Sequence, residues 1–292
     1  MADGIAYRSY AKINIYLDVL PRRRDGFHNI ETIFQTVNLS DQLSFSKRRS
    51  GISMECSTSE LDDGSSNLAY RAARLLQERT GTSQGVYIYL QKRIPIAAGL
   101  AGGSGNAAAT LAALNYLWDL GLPPARLREY ALELGSDVPY CLVGGTKGAT
   151  RRGEELFTAP QVKPTWIILL HPPLAVSTSR IYNSPALLRN TARPFAGKTP
   201  SFRRALRALE RSDWAGAVFN RMEGAVFKDY PHLSHARLRL LEEGCTAAAM
   251  SGSGPTLFGV CASRDHAYQV AERLSEYRST VAYTVSQGIE QE

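Results

Sequence analysis

Between Pro95 and Thr110 the chain reads Pro-Ile-Ala-Ala-Gly-Leu-Ala-Gly-Gly-Ser-Gly-Asn-Ala-Ala-Ala-Thr. Small side chains let a backbone approach a ligand closely, and glycine reaches conformations that other residues avoid. The Ala- and Leu-rich stretch from Ser104 to Trp118 reads as a long helix. Such a helix aims its free N–H groups and the positive end of its dipole at the glycines. The segment can therefore cradle a phosphate with backbone alone, although the same composition also suits a loop that merely packs tightly. A Walker A loop is excluded, because Asn106 and Ala107 stand where Lys and Ser/Thr are needed. A dinucleotide fingerprint, Gly103-x-Gly105-x-x-Ala108, fits poorly, because Lys92 to Ala98, with Pro95 among them, separate the glycines from the preceding strand.

Around this segment, strand and helix patterns alternate. Ile13, Ile15, Leu17 and Val19 recur at every second position, as in a half-buried strand. Leu43–Ser46, Ile52–Glu55 and Val86–Leu90 read as further strands, and Asn67 as the cap of a helix carrying Leu68, Ala72, Leu75 and Leu76. Ala125–Leu134 predicts another helix, and Gly135 to Gly148 is dense in turn residues. Composition shifts near Pro160–Pro164, where a domain boundary is expected, giving units 1–160 and 161–292. Trp166–Leu170 is a continuous apolar run, as in a strand buried on both faces. Helices are predicted around Arg203–Glu210, Trp214–Met222, Leu233–Glu243 and Asp265–Tyr277. Strands are predicted at Ala247–Met250, Thr256–Cys261 and Thr280–Val285. Interleaving in both halves makes the class mixed α and β.

Composition narrows the function classes. A net charge of +7 permits nucleic acid, a membrane surface or an anionic small molecule as partner, but the basic residues are dispersed, with tight runs only at Arg22–Arg24 and Lys47–Arg49. Cys56, Cys141, Cys245 and Cys261 form no CxxC pair and have no histidine at zinc-site spacing, so they read as reduced, mostly core residues. Asp3, Arg8 and Lys12 interrupt any secretory signal, and no run reaches the ~18 apolar residues of a membrane span. A soluble, cytoplasmic protein is expected.

Pro95 through Ala109 resembles the second motif of the GHMP kinases, the superfamily of galactokinase, homoserine kinase, mevalonate kinase and phosphomevalonate kinase. Ala11-Lys12-Ile13-Asn14-Ile15 resembles its first motif, and Met250-Ser251-Gly252-Ser253-Gly254-Pro255 its third, in the same order. Asp25-Gly26-Phe27-His28 and Gly135-Ser136-Asp137-Val138-Pro139-Tyr140 resemble one branch. Its members phosphorylate 4-diphosphocytidyl-2-C-methyl-D-erythritol, a cytidine-linked sugar alcohol of the methylerythritol phosphate route to isoprenoids. The resemblance implies an α+β, two-domain fold, with an N-terminal domain like the second domain of ribosomal protein S5 and a ferredoxin-like C-terminal domain.

The resemblance also implies roles. Asp137 would be the general base with Lys12 as its partner. Pro95, Ile96, Ala97, Ala98, Gly99, Leu100, Ala101, Gly102, Gly103, Ser104 and Gly105 would bind ATP, with Asn67 near the adenine. Asn14, Phe27, His28, Thr178 and Tyr182 would meet the acceptor, Phe27 by stacking on cytosine and His28 at the base edge. Mg²⁺ would enter with ATP, held mostly by phosphates and water. Two departures stand out: Phe27 replaces the branch's usual tyrosine, and Gly105 a Ser or Ala. The implied partners are ATP and the small-molecule acceptor, with no nucleic acid or membrane, in a monomer or weak homodimer. Other readings remain: a homoserine- or mevalonate-type kinase, a nucleotide sensor, or an RNA-binding protein on an S5-like fold.

Overall fold

The computed structural model describes residues 4–184, Leu187 and 197–292. Its spine is a two-stranded ribbon in which β1 (Gly4–Arg22) and β2 (His28–Arg48) pair antiparallel along nearly their whole length. The sequence pattern shows only fragments of these strands, because Ala11, Ile13, Ile15 and Tyr16 are all buried and the polar alternation of a one-sided strand is lost. Register shifts fall at Tyr10/Ala11, Asn14/Tyr16 and Val19/Arg22. Such bulges bend a strand and re-aim its side chains. Here two of them bracket Lys12 and Asn14, which lie two residues apart and so share a face.

The first half builds outward from the ribbon. β3 (Ile52–Cys56) and β4 (Gly85–Gln91) extend the sheet beyond β2, while β5 (Thr146–Thr150) and β6 (Glu155–Thr158) attach at the other end of β2. Helices α1 (Leu68–Thr80), α2 (Gly102–Leu117), α3 (Pro124–Leu134) and α4 (Val138–Val143) cover this sheet. Leu76, Leu111, Leu114 and Trp118 bury against Leu43, Phe45, Ile88 and Leu90 in one core.

In the second half, β7 (Trp166–Leu170) lies between β10 (Leu257–Cys261) and β11 (Ser279–Val285), and β9 (Ala247–Met250) pairs with β10. All four are antiparallel neighbours. α5 (Thr178–Tyr182) follows β7, and α6 (Pro200–Glu210) and α7 (Trp214–Ala217) pack near β1. α8 (Glu223–Asp229), α9 (Pro231–Glu242) and α10 (Arg264–Arg273) bury Val226, Leu233, Leu240 and Val270 against Ile168 and Leu257. This is the α+β architecture expected. The halves share one sheet: Thr284 of β11 pairs with Val37, and Ile289 of β12 (Ile289–Gln291) pairs with Ser9.

Three local expectations change. The predicted helix Trp214–Met222 stops at Ala217, and Phe219–Asn220 form a short strand, β8, parallel to β1 at Tyr16 and Leu17. Pairing with β1 outweighs the local helical pattern. Gly135–Gly148 is not all turn, since it contains α4 and the start of β5. α2 begins at Gly102, not Ser104, after Ala101 in a left-handed conformation at φ 56°. All four cysteines are free thiols; Cys56 is only partly buried, the others fully. No described helix is long and apolar enough to cross a membrane.

Candidate active site

The glycine-rich segment forms the wall of a cavity of about 350 Å³, lined continuously from Pro95 to Ser104, with Asn67 and Lys92 also in the lining. Gly99 has φ 75°, and a Cβ there would lie 2.1 Å from the carbonyl oxygen of Ser251, so only glycine fits. Ala97 and Ala101 also hold positive φ, 52° and 56°, without being glycine. Non-glycine residues held this way signal strain that the surroundings must over-determine. Around them Lys12 N donates to Leu100 O at 3.1 Å and Ser251 Oγ to Gly99 O at 2.9 Å, while at the entry to the loop the buried Asp41 Oδ1 accepts from the backbone N–H of Arg93 at 2.7 Å and of Ile94 at 2.8 Å. The ammonium of Lys92 lies 2.9 Å from Asp41 Oδ2. Burial pulls the Lys92 pKa down, and Asp41 opposes it.

Gly105 lies outside the wall, because its α-carbon faces Ser9 and Tyr10 of β1. Asn67 lines the cavity, but its side chain caps α1, accepting from Ala69 N at 3.0 Å and donating to Asp62 O at 2.8 Å. Any contact it makes with a base must share those atoms.

A second cavity, about 700 Å³, meets the first: both are lined by Ala97, Gly99 and Ala101. Lys12, Asn14, Phe27, His28, Asp137, Thr178 and Tyr182, all named from the sequence, line it. Lys12 Nζ lies 3.6 Å from Asp137 Oδ2 and donates to Asn14 Oδ1 at 2.6 Å. Asp137 occupies the N-cap position of α4, yet its side chain makes no capping bond and stays available to the cavity. Asn14 Nδ2 donates to Thr32 Oγ1 at 2.8 Å, which fixes the amide orientation.

At the far end of this cavity, the Asp25-Gly26 turn closes with Arg23 N donating to Phe27 O at 2.7 Å and Gly26 at φ 86°. The turn leaves Phe27 55% exposed, with the Arg152 guanidinium 5.1 Å from its ring centre. His28 is buried and stacks on Tyr182, the rings 5.7 Å apart and 24° from parallel. His28 Nδ1 lies 2.9 Å from Leu20 O. A carbonyl can only accept, so Nδ1 carries the proton and Nε2 of the neutral ring is an acceptor. Burial, and then the charge of Asp137, pushes the Tyr182 phenol far up, so it stays un-ionised. Thr178 Oγ1 is 2.7 Å from Ser253 Oγ, tying α5 to the third glycine turn.

Arg22 and Gly252, from the basic run and the third motif, also line the second cavity, as do Arg152 and Asn183, and Lys92 and Asn106 line the first; no sequence pattern marks these last four. Arg22 sits in a basic run that was visible; Arg152 follows β5, and no local pattern ties it to Phe27.

The profile of the GHMP kinases N terminal domain matches residues 67–145, and that of the GHMP kinases C terminal domain matches residues 187–279. A protein of Moorella thermoacetica named 4-diphosphocytidyl-2-C-methyl-D-erythritol kinase is 45% identical over 96% of this chain and 98% of its own. The chain belongs to this kinase family. A kinase of the same name from Pelotomaculum thermopropionicum is 42% identical over 92% of both chains. The crystal structure of a 4-(cytidine 5'-diphospho)-2C-methyl-D-erythritol kinase superposes with a TM-score of 0.81 at 35% identity, covering 96% of this chain and 98% of its own. Homoserine kinase from Cytophaga hutchinsonii, at 18% identity and a TM-score of 0.73, shares the fold. As a GHMP kinase, the chain takes its phosphoryl group from ATP and gives it to a small molecule.

Proposed function

We propose that the enzyme transfers the γ-phosphoryl group of ATP to the 2-hydroxyl of 4-diphosphocytidyl-2-C-methyl-D-erythritol. The observation that carries this reading is the junction of the two cavities at Ala97, Gly99 and Ala101, with the Lys12–Asp137 pair in the larger one. Phosphoryl transfer asks the protein for positioning and charge stabilisation. In this reading the backbone from Pro95 to Ser104 and the N-terminus of α2 receive the phosphates. Asp137 accepts the proton of the attacking hydroxyl. Lys12, almost wholly buried, opposes the charge that develops on the transferring group.

Mg²⁺ fits as part of the nucleotide. No group of three or more His, Cys, Asp or Glu side chains able to hold a metal occurs among the described residues. Mg²⁺ commonly keeps several waters and binds through substrate phosphates with one or two carboxylates, and Asp137 is a carboxylate lining the larger cavity. The ion would neutralise phosphate charge.

The acceptor end suits a cytosine base. Phe27 is more than half exposed, so its ring can take part in stacking beside the Arg152 guanidinium. His28 Nε2 can accept from the exocyclic amino group of cytosine, whereas uracil offers an acceptor at that edge. An ADP-release assay with the cytidine-linked alcohol, its uridine analogue, homoserine and mevalonate tests the proposal. Turnover confined to the cytidine conjugate is expected. Turnover of homoserine or mevalonate, with none of the conjugate, overturns it.

A further inference from the structure

After α7 ends, the chain runs extended, and Phe219 and Asn220 pair with Tyr16 and Leu17 of β1. The Asn220 side chain is buried and faces the third glycine turn. Its Nδ2 donates to Met250 O at 2.6 Å and to Gly252 O at 2.8 Å, and its Oδ1 accepts from Met222 N at 2.8 Å. The last of these is local, two residues along the chain and just before α8, whose own N-cap Met222 makes no side-chain capping bond. The two donor bonds grip the carbonyls on either side of Ser251. A second brace comes from Glu223 Oε1, which accepts from Met250 N at 2.8 Å.

The far side of the gripped turn touches Gly99, which lines both cavities. Ser251 Oγ donates to Gly99 O at 2.9 Å. A Cβ on Gly252 would lie 3.2 Å from Gly99 O and 3.5 Å from Asn14 Oδ1. The turn is thus wedged between the nucleotide loop and an acceptor-side amide that Lys12 itself holds. A shift of the turn moves both walls. We infer that Asn220 is a positioning residue for phosphoryl transfer, fixing through the Met250–Gly252 turn the separation of the nucleotide loop and the acceptor side. The inference rests on the assignment of the two cavities proposed above.

The experiment compares Asn220→Ala, Ser251→Ala, their double variant and Asn220→Asp. It measures kcat, KM for ATP and for the cytidine-linked alcohol, and thermal midpoints. Misplacement by ~1 Å costs about 100-fold in rate. Asn220→Ala is therefore expected to lose roughly 10- to 100-fold in kcat, with a smaller rise in KM for ATP. Because both residues act on Gly99 through one turn, the double variant should lose less than the product of the single losses. A folded Asn220→Ala with kcat and both KM values within about two-fold of wild type, or a strictly multiplicative double variant, overturns the inference.

Should Asn220→Ala not fold, Asn220→Asp decides. A carboxylate repels the two carbonyls, whereas a protonated acid can donate to one of them. Its rate relative to wild type should rise as the pH is lowered from about 8 to about 6, a buried acid between two carbonyls being protonated in that range; a flat ratio overturns the inference. Failure of the cavity assignment shows separately, as normal ATP binding by Gly103→Val.

Discussion

The ammonium of Lys12 stands 3.6 Å from the carboxylate of Asp137, one side chain 5% exposed and the other 35%. The cation is thus held from behind while the carboxylate keeps a face toward the acceptor cavity, as a proton acceptor requires. Asn14 Oδ1 accepts from Lys12 Nζ at 2.6 Å, so Asn14, Lys12 and Asp137 form one chain of three side chains. Asp137→Asn keeps the shape and removes the base. A positioned base contributes ~100- to 10,000-fold, so kcat should fall by that order while ATP affinity by calorimetry stays within about three-fold. Wild-type turnover in this variant would remove Asp137 from the mechanism. Lys12→Ala should also lose rate more than nucleotide affinity.

The nucleotide loop gives a graded prediction. A methyl group on Gly99 would sit 2.1 Å from Ser251 O, whereas on Gly103 it would meet Leu68 Cδ1 at an ordinary 3.5 Å. Gly99→Ala should therefore disturb the loop and the third turn together, lowering both the thermal midpoint and ATP affinity. Gly103→Val should leave the fold intact and reduce ATP affinity alone, by intruding on the cavity. Gly105 faces β1 from within α2, with 3.4 Å to Ser9 Cβ. Gly105→Ala should be tolerated, and gains up to ~1 kcal/mol of helix propensity. Equal ATP affinity in all three would show that the loop does not cradle phosphate.

Ala97 and Ala101 predict the opposite sign. Both hold positive φ, which costs a residue with a Cβ roughly 1–2 kcal/mol. Glycine removes that strain and adds about 0.5–1 kcal/mol of unfolded-state entropy. Ala101→Gly should therefore be neutral to modestly stabilising, unlike an ordinary Ala→Gly change. A midpoint lowered by several degrees would mean that the Ala101 methyl packs favourably enough to outweigh the strain.

Much of the site was legible because its parts are short and local. Pro95–Ser104 is one continuous stretch whose small residues point to phosphate, whereas Asp25–His28 and Asp137 read as ordinary turns alone and were placed by their resemblance to kinase motifs. Arg152 and Asn220 were not legible. Arg152 reaches Phe27 only after β2 and β5 have paired. Asn220 lies in a stretch whose local pattern is helical, and two residues of pairing with β1 make it a strand. The length of β1 was hidden for a related reason: burial on both faces erases the alternation by which a strand is read.

Base selection can be separated from stacking. Stacking is worth ~1–3 kcal/mol and tolerates any base, so Phe27→Ala should raise KM for the cytidine substrate and Phe27→Tyr should be nearly neutral. His28 Nε2 supplies choice, since Nδ1 is committed to Leu20 O. An unpaired buried polar group costs about 1–3 kcal/mol, so His28→Ala should narrow the kcat/KM ratio between cytidine- and uridine-linked alcohols by roughly ten-fold or more. An unchanged ratio would place the selection elsewhere.

His171 gives the acid dependence. It is buried between β7, β10 and β11, with Nε2 3.0 Å from Thr280 Oγ1 and Nδ1 3.4 Å from Thr256 Oγ1. Burial, and then the positive charge of Arg278, pulls its pKa down to about 4. The folded protein therefore keeps the ring neutral where the unfolded chain, near its ordinary value of about 6.5, takes up a proton. Stability from this group is complete above about pH 6.5 and is lost as the pH falls toward 4, by at most ~3 kcal/mol. Glu31 and Glu223 act with the opposite sign, because burial raises their pKa values and the fold gains from their protonation. Between about pH 7 and pH 5.5 the histidine works against them, and a variant that cannot titrate there isolates its share. The thermal midpoint of the wild type should fall across that interval, and His171→Gln, which cannot titrate, should flatten the slope whatever its absolute midpoint. Thr256 N bonds Ala98 O in the nucleotide loop at 3.4 Å, so the same protonation should loosen that loop and raise KM for ATP as stability declines. Parallel slopes in wild type and variant would mean that the ring is already charged in the fold, or that another group governs the acid limb.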